Sequence, residues 1–437
     1  MLNSIAKYFE FDERNTNFRK EIIAGITTFV SMVYILFVNP NVLGVSGMDK
    51  GAVFTATALA SAFGCFMMGF IANYPIAISA SLGINAFFAY SVVIGMKVSW
   101  QTALAGVFVA SVIFMILTAL KLREKIIDSI PADLKAAIGG GIGLFIAFIG
   151  LSDGGLVTAN KSTMIGLGSL HVGSTWLTII GLLLTIILMS ARVPGAIFIG
   201  MVINVIVGLS TGLIHAPSQW VSGVPSLHST FGVALMNVGH INTLQLAVVV
   251  LTFLLVTFFD TTGTLVGLTE QAGIVKDNKI PRIGRALTAD STTMVVGSLL
   301  GTSPMGAFVE SSAGIAVGGR SGFTAVVVGV LFLLGSFFSP LLTVITSQVT
   351  APALIIVGTL MAQSLKNIHW EKFEIAAPAF LILVGMPLTY SISDGIALGF
   401  ITYPLSMIAA KRGKEVSPIM YGLAVVFVIF LWILQAG

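Results

Sequence analysis

Apolar positions in this chain run on in long blocks, separated by short links that hold most of the Lys and Arg residues. A soluble helix shows an apolar stripe on one face; a block of about 20 apolar residues is what a helix needs to cross a bilayer. Read this way, the blocks predict fourteen helical spans, near 22–40, 52–70, 76–94, 100–120, 132–151, 174–191, 193–213, 244–267, 284–300, 303–318, 322–346, 351–364, 374–390 and 393–410. A further apolar run lies at 418–434, and several blocks are shorter than a full crossing. The longest link, 214–243, is rich in Ser, Gly and His and has no Lys or Arg. No extramembrane domain interrupts the blocks, which predicts one membrane unit.

Two blocks depart from the apolar pattern in matching ways. NYPIAISASLGINAFFAYSVV (73–93) opens on Pro75, mixes β-branched and small residues, and reads as helix from Gly83. GTSPMGAFVESSAGIAVGG (301–319) opens on Pro304 and reads as helix near Gly314. They fall in spans three and ten, and an odd offset of seven inverts the second copy relative to the first. That is the arrangement of inverted-repeat transporters, whose broken helices offer free N–H groups to a ligand near the midplane.

Composition agrees with the membrane reading. The chain is 56% hydrophobic and only 9% charged, against about 25% charged in soluble domains, and its mean hydropathy is +1.01. Its 47 glycines suit close helix approach in lipid. Cys65, the one cysteine, excludes an internal disulfide and reads as a packing residue. With a cytoplasmic N-terminus, all but Lys50, Lys97 and Lys161 of the 22 Lys and Arg residues fall inside. The net charge of +4 therefore reports topology and gives no reason to invoke nucleic acid. The mixed start, MLNSIAKYFEFDERNTNFRKE, reads as a surface helix without a cleavable signal, so the first span serves for insertion. If 393–410 ends inside at Lys411–Lys414, the run at 418–434 is a fifteenth crossing or an interfacial element.

Asp260 and Glu310 lie within apolar blocks, among Gly, Ser and Thr. An ionisable group at membrane depth is costly and ordinarily faces a cavity or pathway, so the pair points to a transporter. Other polar groups read as structural. Asp290 suits a helix-start charge or an ion pair, Asp394 a helix cap, and Thr27, Thr28 and Ser31 bonds back to their own helix. GGGIG (139–143) lacks the Lys-Ser/Thr of a phosphate loop and reads as a packing surface. His171, His215, His228 and His240 show no metal-like spacing, and Asn160-Lys161-Ser162 matches a glycosylation sequon. No nucleophile or acid–base set beyond the same two acids is found, so neither an enzyme nor a cofactor is expected.

The segments 130–151, NAFFAYSVV (85–93), FDTTGTLVG (259–267), 309–329 and APALIIVG (351–358) resemble the AzgA-type purine permeases of the nucleobase–cation symporter 2 family. The resemblance runs from about residue 14 to 434. It implies an all-α polytopic fold of two inverted seven-span repeats, as in the uracil permeases. A cytoplasmic segment (1–21) would precede a core domain (22–121 and 244–346) and a gate domain (122–213 and 347–437), with an external loop at 214–243. It also implies proton-driven, elevator-like uptake of hypoxanthine and guanine, with adenine a further option, at the plasma membrane. Related permeases often dimerise through their gate domains, so a homodimer is an open expectation. Family members often carry an acid where Thr257 stands, and PGMGLNA where this chain reads ASLGINA (80–86).

A purine base is flat, neutral and edged by N–H donors and C=O or ring-N acceptors, each of which needs a partner on leaving water. Glu310 is the expected clamp, since a carboxylate accepts two adjacent N–H groups directionally. Backbone N–H groups near Gly83 and from Ser311 to Gly314 would meet base acceptors, and Asn85 can match either kind of edge. Phe87 and Phe88 stack on the base or pack, with packing the simpler reading. Asp260, with Thr264 one turn on, is the expected carrier of the coupling proton, with Glu310 as the other candidate or the second half of a jointly titrating pair. The alternative is a carrier of another nucleobase or of a small anion on the same fold; the two carboxylates argue against the anion.

Overall fold

The computed structural model describes residues 2–120, 130–241, 244–275 and 280–435, apart from the side chains at 2, 244, 245, 258–260, 262, 263, 266 and 433–435. A short helix, α1 (Leu2–Tyr8), precedes α2 (Phe18–Gly44) and α3 (Lys50–Ala72). Strand β1 (Ile78–Ala80) leads into α4 (Leu82–Gly95), followed by α5 (Trp100–Ala119) and α6 (Ala132–Asp153). A hairpin of β2 (Val157–Asn160) and β3 (Met164–Leu167), not anticipated from the apolar pattern, joins α6 to α7 (Gly173–Ser190), and α8 (Ala196–Ser210) follows. The second half repeats the order with α9 (Leu244–Gln271), α10 (Ile283–Leu300), β4 (Met305–Ala307), α11 (Ser311–Ala316), α12 (Gly322–Thr343), α13 (Ser347–Asn367), α14 (Phe373–Thr389) and α15 (Ile392–Ala409). A last helix, α16 (Pro418–Gln435), takes up the 418–434 run.

Among the described residues, eight helices are long and apolar enough to cross a membrane, and five shorter apolar ones accompany them. Together they cover every apolar block except 284–300 and 303–318. The first is helical as α10 but carries Asp290, Ser291, Thr292 and Thr293 in succession; the second divides into a strand and a six-residue helix. The protein is a multi-pass membrane protein.

Helix starts are set by short polar side chains. Asn17 accepts from the Lys20 amide, Asp49 from Ala52 and Ser391 from Asp394. Ser391, and not Asp394, therefore caps α15; Asp394 lies in its first turn.

The helices pack in two groups. The α2, α3, α5, α9, α10, α11 and α12 helices pack among themselves, and so do α6, α7, α8, α13, α14, α15 and α16. In the second group the GGGIG stretch is a packing surface, as its composition suggested. A Cβ at Gly143 would lie 2.8 Å from the Gly358 carbonyl oxygen, and one at Gly358 only 2.4 Å from that of Gly143. In the first group the fully buried Glu21 joins α2 to α12. It accepts from the amides of Arg320, Ser321 and Thr324 and from the Thr324 and Thr16 hydroxyls, an anion placed at a helix N-terminus. Nearby, burial acts to raise the Glu10 carboxyl, but hydrogen bonds from Arg282 and Arg14 outweigh it and hold the group below its ordinary value.

Candidate functional site

Pro75 and Pro304 stand at the start of extended segments, and extended backbone inside an apolar bundle must find partners for its N–H and C=O groups. Each broken segment supplies them to the other. β1 and β4 pair antiparallel, with Ile78 opposite Ala307, Ser79 opposite Gly306 and Ala80 opposite Met305, all buried. Side contacts extend the crossing. The Ser81 amide donates to the Pro304 carbonyl and Phe308 to Ala77 (both 3.0 Å), while the Ala77 amide donates to the Ser311 hydroxyl (3.0 Å).

The two half-helices that leave this crossing differ. At α4 the amides of Leu82, Gly83 and Ile84 have no backbone acceptor among the described residues; Asn85 is the first to bond back, to Ser81 (3.0 Å). At α11 the amides of Ser311, Ser312 and Ala313 donate to the carbonyls of Phe308, Val309 and Glu310 (3.1, 2.9 and 3.0 Å). The sequence suggested open amides at both breaks; the structure places three of those at the second break in a tight turn.

A cavity of about 130 Å³ lies beside the crossing. Tyr34 of α2, the 81–84 turn, Val256 of α9 and residues 307–310 form one wall. Ile142 of α6 and Val357, Leu360 and Met361 of α13 form the other, so both groups of helices contribute. Glu310, half-buried at the start of α11, accepts a hydrogen bond on Oε1 from the Tyr34 hydroxyl at 2.5 Å. Gly83 lines the cavity where a Cβ would lie 2.4 Å from Ile142 Cγ2, so the backbone approaches α6 closely. Val309, which lines the cavity beside Glu310, is 55% exposed.

Of the other expected site residues, Asn85, Ser311 and Thr264 are not among the described residues that line the cavity. Asn85 is fully buried in a polar network: its amide donates to Asn39 Oδ1 (2.9 Å), and Asn39 donates to the Thr57 and Thr302 hydroxyls (both 2.8 Å). Ser311 is spent on the crossing, as above. Thr264 is half-buried on α9. Asp260 falls in α9 one turn from Val256, but its side chain is outside the described residues. Phe87 and Phe88 pack in the core, Phe87 edge-on to Phe253 at 5.1 Å. Asp290 is not a helix-start residue: α10 begins at Ile283, and Asp290 lies two turns in, fully buried. Thr27 and Ser31 do bond back to their own helix, but Thr28 is buried against Gly314 with no hydroxyl partner among the described residues.

Sequence reasoning missed Tyr34 and Asn39. The signal was present: a tyrosine and Asn39 stand inside the first apolar block. It also missed the far end of α6, where the Tyr90 hydroxyl of α4 donates to Asp153 (2.6 Å) and Ser91 donates to the Tyr390 carbonyl (2.7 Å). Tyr390 also contacts Tyr90, Phe145 and Phe148 edge-on, with centroids 5.6–5.8 Å apart. At the other end of α6, Asp133 accepts from the His369 amide at 2.8 Å.

Gly314 fixes how α11, and with it Glu310, sits on α2. A Cβ there would lie 2.1 Å from Thr28 Oγ1 and 2.5 Å from the Ala24 carbonyl oxygen. Because the carbonyl cannot move aside, Gly314→Ala is expected to destabilise the protein by roughly 1–3 kcal/mol, as overpacking does. Thermal unfolding in detergent, followed by size-exclusion chromatography, checks this; an unchanged melting temperature would contradict the close approach.

The model of a family described as "Permease family" matches residues 19–398. Over 437 residues the chain is 55% identical to the guanine/hypoxanthine permease PbuG of Bacillus subtilis (strain 168), spanning 98% of this chain and 99% of that protein. It is 41% identical over 438 residues to the adenine permease AdeP of Escherichia coli (strain K12), spanning 99% and 97%. Among solved structures, the transmembrane domain of a cyanobacterium bicarbonate transporter, BicA, superposes with a TM-score of 0.61 at 15% identity, over 90% of this chain and 97% of that one. At that identity the likeness speaks to fold alone. The purine-permease resemblance carried by the motifs is borne out across nearly the whole chain, and the protein belongs to the Permease family.

Proposed function

We propose that the protein imports purine bases, guanine and hypoxanthine first among them, across the plasma membrane by proton symport. The observation that carries the reading is Glu310, an acid held at a helix break and facing a small cavity between two groups of helices. A carboxylate there suits a neutral base with N–H donors and repels an anion, which sets this reading above the bicarbonate-type alternative that shares the fold. The names of the permease relatives point the same way.

In this reading the two halves are inverted seven-span repeats crossing at β1 and β4. The α2–α5 and α9–α12 helices form a core that carries the site, and α6–α8 with α13–α16 form the gate. The basic residues put the N-terminus in the cytoplasm, and hence Tyr90, Asp153 and Tyr390 outside. Their contacts close the outer route, while the exposed Val309 and the cytoplasmic half of α13 leave the site reachable from inside. Core movement against the gate would then alternate access. Asp260 is assigned the coupling proton because it is an ionisable residue within an apolar block, where such groups ordinarily serve an ion or substrate pathway.

The test is uptake of radiolabelled guanine and hypoxanthine into proteoliposomes with and without an inward proton gradient. Wild type is expected to accumulate both bases only with the gradient. Asp260→Asn is expected to lose accumulation but keep base exchange at equilibrium. Wild-type flux that ignores the gradient would reject symport, and competition by bicarbonate but by no purine would reject the substrate.

A further inference from the structure

We infer that Tyr34 is the positioning residue of the site: its hydroxyl holds one oxygen of Glu310 so that the carboxylate presents a fixed edge to the base. The inference rests on reading the cavity as a purine site. Tyr34 is fully buried, yet its hydroxyl lies 2.5 Å from Glu310 Oε1, and both residues line the same cavity. The local backbone supports this placement. The regular helix of α2 is interrupted at Val33 and Tyr34, where the Leu36 and Phe37 amides donate to the Val33 and Tyr34 carbonyls three residues back, at 3.1 and 3.0 Å. Tyr34 thus projects from a tightened turn within a membrane helix, a feature common at functional sites.

A Glu side chain at the start of a six-residue helix has several rotatable bonds, and freezing them on binding costs affinity. A tyrosine hydroxyl that already holds one oxygen removes part of that cost. It does not block recognition, because a carboxylate oxygen has two lone pairs and can accept from Tyr34 and from a base N–H together. The pair also moves as one body, since α11 packs on α2 through Gly314 against Ala24 and Thr28. The orientation of Glu310 therefore persists while the core changes position.

Tyr34→Phe keeps the ring and its packing and removes the hydroxyl. The apparent KM for guanine uptake is expected to rise roughly ten- to a hundredfold, the size of a lost hydrogen bond to a charged acceptor, with Vmax changed less than about twofold. Melting temperature in detergent should stay near wild type. An unchanged KM overturns the inference, as does a fall in Vmax at constant KM, which a purely structural or gating role would give. A second arm needs no substrate: infrared difference spectra of wild type and Tyr34→Phe, with Glu310→Gln to assign the carboxyl band. A shifted Glu310 band supports the hold and an unshifted one overturns it. Wild-type guanine uptake judges the purine reading separately, so either can fail alone.

Discussion

Glu310→Gln is expected to reduce uptake of guanine and hypoxanthine by roughly a hundredfold or more, the scale of losing a charge-assisted pair and leaving buried polar groups unmatched. The substitution changes chemistry and little else. Glutamine has the same length, but one of its two terminal acceptors becomes an NH₂ donor, which would face the N–H groups of the base. Tyr34 can still donate to the remaining carbonyl oxygen, so the buried hydroxyl keeps a partner and the fold is expected to survive. Initial uptake rates in proteoliposomes, set beside melting temperature in detergent, separate the two effects. Uptake within a few-fold of wild type would remove Glu310 as the base contact. A collapse of stability alongside the loss would make it a structural acid instead. Glu310→Asp should fall between, keeping the charge but withdrawing it from the cavity.

How far the sequence revealed this site depends on the kind of signal involved. Pro75 and Pro304 were legible because each stands among Gly, Ser and other small or β-branched residues that do not favour helix, and two such breaks seven spans apart predicted a matched pair. That the breaks would pair as antiparallel strands was not legible. Both faces of β1 and β4 are buried, so no alternation of polar and apolar residues marks strand or register. Glu310 stood out because a charge in an apolar block is costly; its partner Tyr34 did not, because a tyrosine there is unremarkable until the fold brings two positions 276 residues apart together. Asn85 shows the opposite case. An amide near a break suggests a ligand contact, yet the structure occupies its NH₂ group with Asn39, a partner set by packing of α2 on α3 and α4. Asp290 was misplaced because the basic run before it suggested a helix start that lies seven residues earlier, at Ile283.

The alternating-access proposal makes its sharpest demand at the outer seam. Ser91 of α4 donates to the Tyr390 carbonyl at 2.7 Å, one residue on from Tyr90 and its bond to Asp153, so proposed core and gate touch there. If the core must leave this position to load from outside, tethering the seam should trap the protein. A short thiol cross-linker joining Ser91→Cys and Tyr390→Cys is therefore expected to bring guanine uptake to near background, and cleaving the linker to restore it. The native sequence favours the experiment: its one cysteine, Cys65, is fully buried, with its thiol donating to the Ile78 carbonyl. Each single-cysteine variant treated with the same reagent should keep uptake, which controls for the loss of either side chain. The tethered protein should still bind guanine from the cytoplasmic side, read as a rise in melting temperature with added base, because the tether holds the arrangement in which Val309 and Glu310 are reachable. Locked transport with retained binding is the signature of a trapped conformer, since the site itself is untouched. Transport that continues through a fully formed cross-link would show that the seam need not open, and relative movement of core and gate would have to be abandoned.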